Sequence, residues 1–355
     1  MTRMLPLRSL AHVLACLLVP LASACSERAP TRALVLHNIV ETSVVPDARA
    51  LLTSHEALRA SVADLERTPD LAQLQRLRQA WKRAVCAWQR VQTLQLGPAA
   101  SAHAVMRSMF WPTRISALEA LLDDDTPVSD DSIEALGVDV RGMFALEWLL
   151  FGPHSSRLYA QTPEGRRARD LASALTHNSQ LYVEAATTQL GTGSALQESL
   201  ARDELLSVSR LVQLSAAQVE QLASDRVGAV LEQRGGTGEL DLRELRGGLS
   251  GVASELVETE LATLQRMYNG SHEEPGLSAL VRTSAPAIDE HMHALLQAAN
   301  ARVAELEASL DVVAVRDRPR VVAAHAALKE LERALKSELP SALGLTLTFD
   351  ASDGD

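Results

Sequence analysis

LAQLQRLRQAWKRAVCAWQRVQTLQL, residues 71–96, contains neither proline nor glycine and sets Leu74, Leu77, Trp81, Val85, Trp88 and Val91 three or four residues apart. Residues at that spacing share one face of a 3.6-residue turn, so the stretch reads as a helix with its apolar stripe on a core. Gly97-Pro98 follows and stops it, because the proline ring disfavours helical backbone at the preceding residue. Composition points the same way. Aromatics make up only 3% of the chain, while Ala, Leu, Glu, Gln and Arg, which lose little rotamer freedom in a helix, are abundant. The expected fold is all-α.

Outward from this helix, the pattern repeats. A second helix is expected over Asp139 to Phe151, broken by Gly152-Pro153, with a loop-rich stretch before it that holds Phe110-Trp111-Pro112 and Asp123-Asp124-Asp125. No proline occurs from Glu164 to Glu274, which permits long helices separated by glycine turns at 191–193 and 235–238. Further helices are expected over Ile288 to Leu310 and over Val321 to Leu339, the latter ended by Pro340 and the short LGLTLTF. Each amphipathic helix needs partners to cover its stripe, so bundles are the natural packing. At 355 residues, 46% of them hydrophobic, the chain exceeds one typical core. Two helical bundles are expected, over 33–190 and 197–355, with the turn at 191–193 as their junction.

A formal charge of -11 argues against sequence-independent nucleic-acid binding, which needs a basic face for phosphates, and is compatible with attracting cations. Three cysteines, Cys16, Cys25 and Cys86, are too few for a disulfide scaffold. Arg3 and Arg8 precede an apolar stretch from Leu10 to Leu21, too short to span a bilayer comfortably, followed by Ala22-Ser23-Ala24. Residues 1–24 therefore read as an export signal. Cys25 directly after the small residues resembles a bacterial lipobox, which implies a diacylglyceryl thioether on Cys25 and a lipid anchor holding the chain in the cell envelope, facing the periplasm or the outer surface. Cys16 would leave with the signal, and Cys86 would then have no intramolecular partner.

The block RGMFALEWLLFG, residues 141–152, raises the question of chemistry, since one carboxylate, Glu147, interrupts an otherwise apolar run. On a helix Phe144 and Glu147 share a face, and Gly142 permits close approach of another backbone. An unpaired acid in such surroundings takes up a proton or costs several kcal/mol, so it calls for a cation, a donor or a metal. Arg107, Arg114 and Arg141 are candidate partners; the plainer alternative is a helix acid at a solvated edge or in a structural ion pair.

The landmarks LRQAWKRAVCAWQRVQTLQLGP (77–98), FWPTR (110–114), RGMFALEWLLFG (141–152), MYNG (267–270) and LGLTLTFDASDGD (343–355), in that order, resemble the imelysin (M75 peptidase-type) family along the whole mature chain. Gly142 and Glu147 match the glycine and glutamate of the family's GxHxxE motif, and Phe144 stands where the family has histidine. The resemblance implies two helical bundles related by duplication with the motif at a cleft between them, and a role either as a metallopeptidase-like protein or in iron and metal uptake at the bacterial envelope. Trp111 and Arg114 would be cleft neighbours.

The departure at Phe144 bears on chemistry. A catalytic zinc usually takes three protein ligands and keeps one position open, a phenyl ring cannot coordinate, and the chain contains no HExxH. His154 is a weak substitute beyond Gly152-Pro153, His291 and His293 point to different helix faces, and His103 and His325 are isolated. Asp123 to Asp125 lack the glycine spacing of an EF-hand and read as a solvated loop. In the second half, Arg243, Glu244 and Arg246 with Glu255, Glu258 and Glu260 read as solvent-facing helix charges, and Ser250 and Ser254 show no hydrolase signature. The expected function is an envelope lipoprotein binding a cation, iron complex or small polar ligand at Glu147, in support of iron or metal uptake and in contact with metal-transport components. Glu147 would be the protein's contribution to any divalent metal or iron, and the cofactor stays open. A metal-dependent peptidase and a non-catalytic scaffold are the alternatives.

Overall fold

The computed structural model describes residues 29–346 except 94–98, 125, 191–194, 234–240, 272, 307–309, 311–312 and 314–315. The export signal, Cys25, Asp125, the helix stop at 97–98, both expected glycine turns and the end of LGLTLTF lie outside the described residues. Those described form helices α1 (Arg32–Ile39), α2 (Val45–Arg67), α3 (Leu71–Thr93), α4 (Ala99–Met109), α5 (Ile115–Asp123), α6 (Asp130–Glu134), α7 (Met143–Phe151), α8 (Pro163–Leu190), α9 (Ala195–Arg202), α10 (Glu204–Gln221), α11 (Ala229–Gln233), α12 (Ala253–Asn269), α13 (Leu277–Ser284), α14 (Pro286–Ala304) and α15 (Arg318–Leu343). π-helical turns at Val40–Val44 and Leu222–Gly228 join α1 to α2 and α10 to α11. The described residues contain no strand, only the isolated bridge Gly270 to Pro275, so the chain is all-α.

Helix α3 buries the stripe its spacing announces: Leu74, Leu77, Trp81, Val85, Trp88 and Val91 are all in the core. α2, α3, α4, α7 and α8 pack on one another, and α10, α14 and α15 form a second set. α12 joins the two through α3 and α14, and α1 packs against α10 of the second set and against α13. Among the described residues the buried apolar side chains other than Ala279 form one contiguous cluster.

Several features differ from the sequence expectation, among them the helix expected over Ile288 to Leu310, which as α14 runs Pro286–Ala304. α7 begins at Met143, not Asp139, because Gly142 adopts φ 82°, ψ -166°, a conformation essentially closed to other residues that separates α7 from the 3₁₀ turn Val138–Val140. Pro340 lies inside α15 rather than ending it; the stop comes at Gly344, in the left-handed conformation suited to a helix C-terminus. The segment between α3 and α7, expected to be loop-rich, carries α4, α5 and α6, with a cis bond at Trp111-Pro112.

Candidate functional site

α7 is apolar on every side because it has no solvent face: Met143 to Leu150 are all buried, Glu147 among them. It contacts α3, α4, α5 and α8. Trp81 fixes its start by donating Nε1–H to the Met143 carbonyl at 2.9 Å. Gly142 is needed for a second reason besides its φ. A Cβ there would stand 2.6 Å from the Ser108 carbonyl oxygen and 2.8 Å from that of Arg107, so α4 reaches α7 only over a bare backbone.

Glu147 is 3% exposed, which overturns the solvated-edge alternative. Its partners come from the turn RGGLSG, residues 246–251. Ser250 donates both its amide, at 2.9 Å, and its hydroxyl, at 2.6 Å, to Glu147 Oε1. Burial pushes the Glu147 carboxyl up to about 7, against the opposing pull of the Ser250 bonds, the Arg246 charge and the Gly247 amide. The positive φ of Gly247 and Gly251 lets this turn fold its amides inward.

Among the described residues the cation whose charge acts on this acid is Arg246, not any of the three arginines named from sequence. Arg107 and Arg141 both pair with Glu134, at 2.9 and 2.8 Å, and Arg114 pairs with Asp139 at 3.1 Å. Arg246 is buried, lays its guanidinium 4.8 Å from the centre of the Phe144 ring, and donates Nη2–H to Gln92 Oε1 at 2.7 Å. A ring in the motif's histidine position thus offers its π face to a cation. Burial and the like charge of Arg226 pull the Arg246 pKa well below the ordinary arginine value, with Glu260 and Glu147 opposing.

Glu260 corrects another expectation. It is fully buried, not solvent-facing; burial raises its pKa against the pull of Arg226 and Arg246, and Gln89 Nε2 donates to it at 2.9 Å. Glu255 is exposed and Glu258 half-buried, nearer the expectation. A narrow cleft opens beside Glu147, walled by Trp111, Phe144, Trp148, Arg243 and Leu249. Trp111 is therefore a cleft neighbour, whereas Arg114 does not line it.

The histidines lie elsewhere. His154 sits against Trp148, His291 bonds Glu338 at 2.9 Å, and His293 meets Ser278 at 3.0 Å and Asp289 at 3.6 Å. His103 is exposed and His325 half-buried near Gly228. Asp123 pairs with Arg157 and Asp124 accepts from Thr126. Among the described residues no three of His, Cys, Asp or Glu come together as a metal-ligand group. Phe144 and the guanidinium over it occupy the place where a nitrogen ligand would complement Glu147, so this donor set does not fit a metal held by protein ligands alone. Nothing in the sequence alone singles out Ser250, Arg246 or Gln92; the available signal was a glycine-rich turn flanked by Arg and Ser inside a proline-free helical stretch.

A search of curated proteins returns no match. Among solved structures, the chain is similar to a protein described as an iron-regulated protein A precursor from Parabacteroides distasonis ATCC 8503, with a TM-score of 0.76 at 14% identity, covering 90% of this chain and 97% of that one. It is also similar to an imelysin-like protein from Psychrobacter arcticus 273-4, with a TM-score of 0.70 at 16% identity over 91% of this chain and 98% of that one. At such identities the likeness is one of fold. The family model Peptidase_M75, described as imelysin, matches residues 44–336. With a match over so much of its length, the chain belongs to the imelysin family.

Proposed function

We propose that the chain is an exported, lipid-anchored protein of the bacterial envelope that holds a small polar ligand or an already chelated iron at the narrow cleft beside Glu147, which widens to admit it, in support of iron or metal uptake. The observation that carries this reading is a buried carboxylate beside a narrow cleft, tied by the Ser250 amide and hydroxyl to the turn that presents Arg246. Perturbed acids beside a cleft are concentrated at functional sites. The cleft is read as lying between the two bundles, since α7 comes from one half of the chain and the 246–251 turn from the other. Among the described residues no metal-ligand group forms, which favours cargo that brings its own ligands over a bare cation. The relative from Parabacteroides described as iron-regulated supports iron as the context, and Cys25 after the small residues of the signal supports the anchor. Metal-transport components of the same envelope are the expected partners.

Calorimetric titration with ferric citrate as probe, and with ferrous ion as the bare-cation comparison, tests the reading. Saturable binding of the chelate that Glu147→Gln weakens about tenfold, the worth of one charge-assisted hydrogen bond, is the expected result. Equal binding by both proteins, or binding of ferrous ion alone, would contradict it.

A further inference from the structure

A second cavity, unconnected with Glu147, opens where the end of α2 meets the start of α8. It has a volume of about 810 Å³, and its wall includes Arg67, Arg166, Arg167 and Arg169 with a single acid, Asp170. Such a wall runs against the sign of a chain with a formal charge of -11.

The arginines differ in how they are held. Arg169 is only 9% exposed, and its Nη1–H groups donate to the carbonyls of Leu158, at 3.0 Å, and Ala160, at 2.9 Å. Arg167 donates Nε–H and Nη2–H to the Leu121 carbonyl at 3.0 and 2.7 Å, and Nη1–H to that of Thr126. These oxygens are neutral. They fix the two guanidiniums in place without cancelling their charge, and among the described residues neither reaches a carboxylate. Arg166 is exposed and makes no ion pair among the described residues, while Arg67 pairs with Asp64. A buried guanidinium without a counter-charge is costly, and an anion that supplies one is bound strongly in return. The start of α8 contributes little of this. Thr162 accepts from the Gly165 amide, and the Glu164 carboxylate is held low by its own amide and by Thr162, so the arginine side chains carry the site.

We infer that this cavity is a binding site for a polyanionic oxoanion of the phosphate class, gripped by Arg166 and by the pre-positioned Arg167 and Arg169. Guanidinium forks match the oxygen spacing of phosphate groups, and donors already fixed in place lose little freedom on binding. Such a group occurs both on soluble phosphate compounds and on phospholipid headgroups, and both would meet the same arginines.

The test uses the full chain at physiological ionic strength. Pyrophosphate is titrated calorimetrically into the wild type, Arg166→Gln and, as a remote control, Arg302→Gln, and the same three proteins are co-sedimented with phosphatidylglycerol and phosphatidylcholine vesicles. Arg166 is exposed and bonded to nothing the fold needs, so its loss leaves folding intact. Saturable pyrophosphate binding, weakened about tenfold by Arg166→Gln and less than about twofold by Arg302→Gln, supports the site. Additional phosphatidylglycerol binding lost in Arg166→Gln assigns the source to headgroups; pyrophosphate binding without it assigns a soluble phosphate compound. No saturable binding of either probe, or equal losses in the two variants, would overturn the inference.

Discussion

Ser250 and Glu147 lie on different halves of the chain, yet one oxygen of Glu147 accepts both the amide and the hydroxyl of Ser250, at 2.9 and 2.6 Å. The acid therefore does structural work across the fold: it holds the 246–251 turn, and with it Arg246, against α7. Ser250→Ala keeps the amide bond and removes the shorter one. The expected loss is about 1 to 2 kcal/mol in urea unfolding, with the Glu147 carboxyl rising further, because a buried acceptor has lost a donor.

Glu147 and His55 make opposite contributions to the pH dependence of stability. The Glu147 carboxyl is raised to about 7 by burial, so its share of stability is complete below the ordinary carboxyl range and is lost as pH rises through about 7. His55, fully buried and bonded to Gln180 at 2.9 Å, is lowered to about 4, so its share is present above the ordinary histidine value and is lost as pH falls through about 4. Each window is worth on the order of 3 kcal/mol. Thermal unfolding followed from pH 3 to 9 should show Glu147→Gln flattening the fall on the alkaline side and His55→Asn flattening it on the acid side.

Gly142→Ala should destabilise by upwards of about 3 kcal/mol, since it combines a forbidden backbone conformation with a clash against carbonyls that cannot swing away. Denaturant unfolding measures this directly. Ala at Gly251, where a Cβ would meet nothing within 4 Å, should cost only the backbone strain.

The Cys86 thiol is buried and pushed up to about 12, chiefly by desolvation and then by Glu255. It should resist a thiol reagent at pH 8 in the native protein and react at once in denaturant, because only the thiolate attacks.

Helix α3 was legible residue by residue, because a stripe of Leu, Trp and Val at spacings of three and four admits one reading. Gly142, Phe144 and Glu147 were legible as a group, since an acid in an apolar helix demands compensation. Its partner was not. Arg107, Arg114 and Arg141 are near in sequence, but each has an acid closer to hand, Glu134 or Asp139. Arg246 and Ser250 reach Glu147 only through the packing of one half of the chain on the other, which no local pattern encodes. Glu260 looked like any helix acid because its burial depends on Gln89 of α3 lying opposite.

The most direct test of a buried acid at the base of the cleft is the titration of its own carboxyl, followed by ¹³C NMR of glutamate-labelled protein. One resonance, absent from Glu147→Gln, should titrate with a midpoint near 7. If that resonance instead titrates in the ordinary carboxyl range, near pH 4 to 5, Glu147 is solvated and the account of the cleft fails.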